Sequence, residues 1–132
     1  MSDDFSVEII TPISQLDMGN AEYLRLPGMS GLIGVMKNHA SALISLGIGE
    51  IKIENSENTQ YLSTSGGVLD FKNNKAQLLL ESVEKASDID IERAKNSQNR
   101  AKERLRNSES DKLRAEISLL KALNRLKVGN RS

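Results

Sequence analysis

The sequence contains no cysteine, which excludes disulfides and thiolate-bound metal. It has no tryptophan and only two tyrosines and two phenylalanines, too few for a platform on which nucleic-acid bases stack. Its single histidine, His39, follows Asn38 and has no nucleophile motif around it, so zinc chemistry and the familiar catalytic triads lose their ligands and base. No P-loop and no Gly-x-Gly-x-x-Gly occurs. No apolar run approaches the ~20 residues of a membrane span, so direct membrane insertion is not expected. The start, Met1-Ser2-Asp3-Asp4, is acidic where a secretory leader is basic, and the expectation is a cytoplasmic protein. The 18 basic and 18 acidic side chains cancel, so no global field points to nucleic acid. A non-catalytic protein without a metal is the expectation.

What is present changes character near Ser87. Before it, short runs rich in β-branched residues span 5–10, 21–26, 31–36, 42–46, 50–54, 60–64, 68–71 and 76–82. Pro12, Pro27-Gly28, Gly47, Gly49, Asn55, Gly66-Gly67 and Asn73-Asn74 punctuate them. Many short strands at close spacing predict an antiparallel sandwich or flattened barrel. After Ser87 the pattern is helical. Asp88 is the expected N-cap, with Asp90 and Glu92 set against the first-turn dipole. Residues 91–105 carry no proline or glycine; 107–111 break the helix and supply a second cap; 112–128 resume it until Gly129-Asn130. So short a loop predicts an antiparallel hairpin. The expected fold class is β + α: an N-terminal antiparallel β-sandwich over 1–87, then a C-terminal antiparallel two-helix hairpin over 88–132.

The helices offer unequal apolar faces. Leu113, Ile117, Leu120, Leu123 and Leu126 form a stripe on the second, with Leu119 beside it, whereas the first offers Ala94, Ala101 and Leu105. At roughly 25 cal/mol per Å², an alanine-lined seam contributes far less than a leucine-lined one. Two readings stand: a marginally docked hairpin that opens, or a permanently docked one.

Charge divides at the same boundary. Residues 1–87 hold 6 basic and 11 acidic side chains, 6 − 11 = −5; residues 88–132 hold 12 and 7, 12 − 7 = +5. Such a basic arm is either a solvated face or a surface steered toward an acidic protein partner. Within it, Arg93 and Arg100 lie seven residues apart on one helix, Lys121 and Arg125 four apart on the other. With Asp90 they either converge on a phosphate-bearing ligand or remain on separate solvated faces.

Four segments carry a resemblance. Gly31-Leu32-Ile33-Gly34-Val35 followed by Asn38-His39-Ala40 and Ser65-Gly66-Gly67-Val68-Leu69-Asp70 followed by Asn74-Lys75-Ala76 mark the first half. Asp88-Ile89-Asp90-x-x-Arg93-Ala94 and Ala122-Leu123-Asn124-Arg125-Leu126 mark the second. In this order and spacing the chain resembles the bacterial epsilon subunit of the F-type ATP synthase over essentially its whole length.

The resemblance implies a sandwich that binds the gamma subunit and rests on the c-ring, with Leu32, Asn38 and His39 at the c-ring contact. It implies a helical arm that blocks ATP hydrolysis when extended, meeting the beta and alpha subunits. Arg104, Arg106, Lys112, Arg114, Lys121 and Arg125 would face the acidic segment of beta. It implies no required cofactor, but ATP as a regulatory ligand at Glu84, Ile89, Asp90, Arg93, Ala94, Arg100 and Arg125. The implied location is peripheral, at the cytoplasmic face of the bacterial inner membrane. The sequence departs from the family at Leu32 (glutamate there), Lys37-Asn38 (Pro-Gly) and Ser41 (proline). Lys121 replaces an expected arginine, losing the planar fork that suits phosphate.

Overall fold

The structure, a computed structural model, describes residues 4–107 and 112–131. Among the described residues ten strands precede two helices: β1 Phe5–Thr11, β2 Ser14–Ala21, β3 Tyr23–Gly28, β4 Gly31–Val35, β5 Ala42–Leu46, β6 Gly49–Glu54, β7 Thr59–Thr64, β8 Gly67–Lys72, β9 Lys75–Leu80 and β10 Val83–Lys85. A one-turn 3₁₀ helix, Ala86–Asp88, leads into α1 (Ile91–Asn107), and α2 spans Lys112–Gly129.

The hydrogen-bonded order is β10-β7-β6-β3-β5-β8-β9-β1-β2, with β4 paired to β3. Between β3 and β5 the ladder narrows to a single partnership, Gly28 with Leu46. That near-break divides the strands into two groups of five. Their inward residues meet in one core: Leu24, Leu26, Val35, Ile51, Ile53 and Leu62 from one group, Phe5, Val7, Ile9, Leu69, Phe71 and Leu78 from the other. Alternate residues of β1 (Phe5, Val7, Ile9) are buried, the period of two that a half-buried strand requires. The sandwich is therefore as expected, with one parallel pairing, β1 beside β9, among otherwise antiparallel ladders.

Several local expectations need correction. β2, absent from the sequence reading, pairs along β1 after a turn at Pro12-Ile13 in which the Thr11 hydroxyl accepts from the Ser14 amide at 3.0 Å. β10 is a three-residue strand on β7. The α1 cap is Asp90, not Asp88: Asp90 Oδ1 accepts the Arg93 amide at 3.0 Å, while Asp88 closes the 3₁₀ turn. The second cap expected within 107–111 lies outside the described residues, apart from Asn107 at the end of α1. Gly66 and Gly67 take φ of +122° and +155°, and a Cβ on Gly67 would strike the Leu79 carbonyl oxygen on the neighbouring strand.

The helix seam differs most. Ala94 and Ala101 of α1 and Ala115 and Ala122 of α2 are buried, while Leu113 is 71% exposed and Leu120 55%. Small residues permit close helix approach, and Leu113, Ile117, Leu120 and Leu123 of the α2 stripe are exposed while Leu126 is half-buried. Burial of α2 is completed at its far end. There Val128 packs with Ala86 and Ile89, and Gly129 leaves room for Ile89 and Ile91.

Candidate functional site

Two regions collect the residues of interest: the junction of the hairpin with the sandwich, and one apolar end of the sandwich. At the junction, α2 packs against β6, β7 and the 3₁₀ turn. Its Asn124 Nδ2 donates to the Gly49 carbonyl at 2.7 Å and to Ser63 Oγ at 3.0 Å. One residue on, Arg125 forks onto Glu84 of β10, Nε to Oε1 at 2.6 Å and Nη2 to Oε2 at 3.0 Å. This bidentate geometry gives direction as well as charge. Ser63, Thr64, Ser65, Ser82 and Lys121 complete a small cleft of about 70 Å³ around the pair.

A second ion cluster lies near the chain's end. The side chain of Glu50 on β6 is only 4% exposed, yet it holds two guanidiniums. Arg25 Nη2 reaches its Oε1 at 2.8 Å. Arg131 Nε reaches Oε2 at 3.1 Å and Nη2 reaches Oε1 at 3.2 Å. Arg131 also lies 4.8 Å above the Tyr61 ring. Its hydrogen bond to Glu50, and then the Glu50 charge, push the Arg131 pKa above the ordinary arginine value.

The residues that the resemblance associates with ATP have different partners in the structure. Glu84 and Arg125 are paired with each other. Ile89 is buried with Ala86 and Val128, Asp90 caps α1, and Ala94 lies in the helix seam. Arg93 is exposed. Arg100 donates to Ser97 Oγ at 3.1 Å and, with Arg104 and Ser118, lines a separate groove of about 360 Å³. Of the residues associated with the beta subunit, Arg104, Arg106, Lys112, Arg114 and Lys121 are exposed, whereas Arg125 is half-buried in its pair.

The apolar end is formed by the β3–β4 hairpin and β5. Met29 is 71%, Leu32 72% and Leu43 74% exposed, and with Ile33 and Ile44 they line a groove of about 420 Å³. Such grouping of large apolar side chains on a surface marks a contact face. Asn38, at φ +67°, donates its amide to Asn74 Oδ1 at 2.7 Å, and Asn74 Nδ2 returns a bond to Asn38 Oδ1 at 3.2 Å. His39 packs edge-on to Phe71 with ring centroids 5.7 Å apart. Its Nδ1 lies 2.7 Å from the Ala40 carbonyl oxygen, which can only accept, so Nδ1 is the donor of this contact. Among the described residues, no group of three or more His, Asp or Glu is placed to hold a metal, and no helix is long and apolar enough to cross a membrane.

Sequence reasoning did not single out Glu50, Arg131, Tyr61, Met29 or Leu43. Met29 carried a usable signal, a large apolar residue immediately after the Pro27-Gly28 strand breaker. The Glu50–Arg131 pair carried none, because 81 residues separate its members.

Comparison with known proteins agrees with this architecture. The beta-sandwich domain of the ATP synthase Delta/Epsilon chain matches residues 4–86, and the long alpha-helix domain of the same chain matches residues 87–130. The ATP synthase epsilon chain of Levilactobacillus brevis is 35% identical over 128 residues, covering 93% of this chain and 92% of that one. That of Nitratidesulfovibrio vulgaris is 35% identical over 130 residues, covering 97% of each. Among solved structures, a chain in the Euglena gracilis mitochondrial ATP synthase assembly of OSCP, F1 and c-ring superposes with a TM-score of 0.81 at 15% identity. The superposition covers 91% of this chain and 78% of that one. A chain of the Tetrahymena thermophila central stalk and c-ring gives 0.60 at 13% identity, covering 96% and 93%. A two-domain match in one order, with relatives aligned end to end, identifies the chain as a member of the ATP synthase delta/epsilon family, as an epsilon chain.

Proposed function

We propose that the chain is a non-catalytic rotor subunit that joins gamma to the c-ring in proton- or sodium-driven ATP synthesis, with helices that restrain ATP hydrolysis. The observation that carries this reading is the end-to-end likeness to epsilon chains across both domains. The apolar groove around Met29, Leu32 and Leu43 suits a protein contact face, which we assign, together with Asn38 and His39, to the c-ring. The exposed cations of α1 and α2 suit an acidic surface on beta and alpha. The subunit then sits peripherally at the cytoplasmic face of the bacterial inner membrane. It has no active site of its own.

The test is reconstitution of a complex depleted of this subunit. Full-length chain should restore coupling of hydrolysis to ion pumping. Chain lacking residues 88–132 should also restore it, but with hydrolysis raised several-fold. Failure to restore coupling would refute the rotor role, and unchanged hydrolysis would make the helices a brace rather than a brake.

A second reading makes the hairpin a nucleotide-sensing module with ATP as a regulatory ligand. The Arg100–Arg104–Ser118 groove favours it, since two guanidiniums beside hydroxyls suit phosphate. Against it, the Arg125 fork is engaged by Glu84, and Lys121 supplies no fork. Titration of the isolated chain with magnesium-free ATP decides this: no heat and no thermal shift at millimolar ATP would end this reading.

A further inference from the structure

The buried apolar contact between α2 and the rest of the chain centres on Val128, which packs with Ala86, Ile89 and Tyr61. The helix seam is lined with alanine, and α1 packs along α2 while α2 makes the contacts to β6 and β7. The polar fastenings come from Asn124, Arg125 and Arg131, all in the last part of α2 or just past it. Arg131 is set apart by its position. The Asn130 amide donates to the Leu126 carbonyl at 3.1 Å and the Arg131 amide to the Val128 carbonyl at 3.0 Å. The chain thus turns tightly beyond Gly129 and returns the Arg131 side chain to the sandwich.

We propose that Arg131 is the latch of the hairpin: by gripping Glu50 and covering Tyr61 it holds α2, and α1 through α2, on the sandwich. An exposed ion pair would contribute little. This pair differs because, although the Arg131 side chain is 41% exposed, its carboxylate partner is 4% exposed and the guanidinium meets both oxygens. The arrangement also leaves Glu50 paired if the latch opens. Removing one partner of a buried pair normally strands the other charge. Here Arg25 remains 2.8 Å from Glu50 when Arg131 departs, so the carboxylate keeps a counter-charge and the sandwich survives undocking. The latch is a property of the free chain and needs no assumption about the assembled complex.

Amide hydrogen exchange on the full chain tests it. Arg131→Ala should accelerate exchange across α2 by about three- to tenfold, the scale of one charge-assisted contact, and leave β1, β8 and β9 unchanged. Arg131→Lys, which keeps the charge but loses the fork and the stacking, should fall between Arg131→Ala and the parent chain. Glu50→Gln combined with Arg131→Ala should add little to the larger single effect. Raising salt to ~0.5 M should accelerate α2 exchange more in the parent chain than in Arg131→Ala, where of the two junction ion pairs the Arg125–Glu84 pair remains to be screened. Unaltered α2 exchange in Arg131→Ala, additive effects, or equal salt acceleration in both chains would each overturn the latch. Arg131 lies beyond every strand and helix, so that variant tests docking without disturbing the fold.

Discussion

Arg125 and Glu84 face each other across the junction of α2 and β10 with both guanidinium–carboxylate contacts made, at 2.6 and 3.0 Å. The pair spans 41 residues of sequence and joins the helical unit to the last strand of the sandwich. With 25% and 37% side-chain exposure, water screens much of its attraction. Glu84→Gln and Arg125→Lys should each cost the docked hairpin about 0.5–1 kcal/mol, and the double substitution scarcely more. Urea melts read by a probe on α2 check this. Costs that add in full would show that the two groups act independently.

Glu8 supplies a pH-dependent contribution on the opposite side of the sandwich. Gln77 Nε2 donates to its Oε1 at 2.9 Å and Gln15 Nε2 to its Oε2 at 3.2 Å. These bonds, Gln77 first, hold the carboxyl below its ordinary value of 4.5. A depressed pKa means that the folded chain favours the carboxylate. The stabilisation is therefore complete above the unfolded carboxyl pKa and is lost as pH falls through the lower folded value. Gln77→Ala should return the Glu8 pKa toward 4.5, measured by carboxyl NMR titration, and flatten the acid limb of stability. An unmoved Glu8 titration would assign the shift to another cause.

The sandwich was legible because β1, β3, β6 and β7 alternate or cluster their apolar residues between strong turn signals. β2 was not: Ser14–Ala21 is a polar edge strand in which Leu16 and Met18 are only partly buried, so its register on β1, not hydrophobicity, defines it. The helices were legible from periodicity, and Ala94 and Ala101 were read correctly as the apolar face of α1, but the buried face of α2 was misassigned. Area arguments favour leucine, whereas close backbone approach selects Ala94, Ala101, Ala115 and Ala122, each pair seven residues apart. That spacing was the available signal. Junction contacts such as Glu50–Arg131 depend on which strand meets the end of α2, information that resides in tertiary packing.

The alanine-lined seam and the outward leucines of α2 give the most direct test of the structure. Ala94 is fully buried against α2, so Ala94→Leu forces three added carbons into a filled seam. Overpacking of this kind costs about 1–3 kcal/mol, and here it should push the helices apart. Leu120 is 55% exposed, so Leu120→Ser should change stability by no more than about 0.5 kcal/mol in the isolated chain. Thermal melts followed at a helix signal separate the outcomes. If leucine rather than alanine lined the seam, the ranking would invert: Leu120→Ser would loosen the hairpin, and Ala94→Leu would be tolerated or would tighten it.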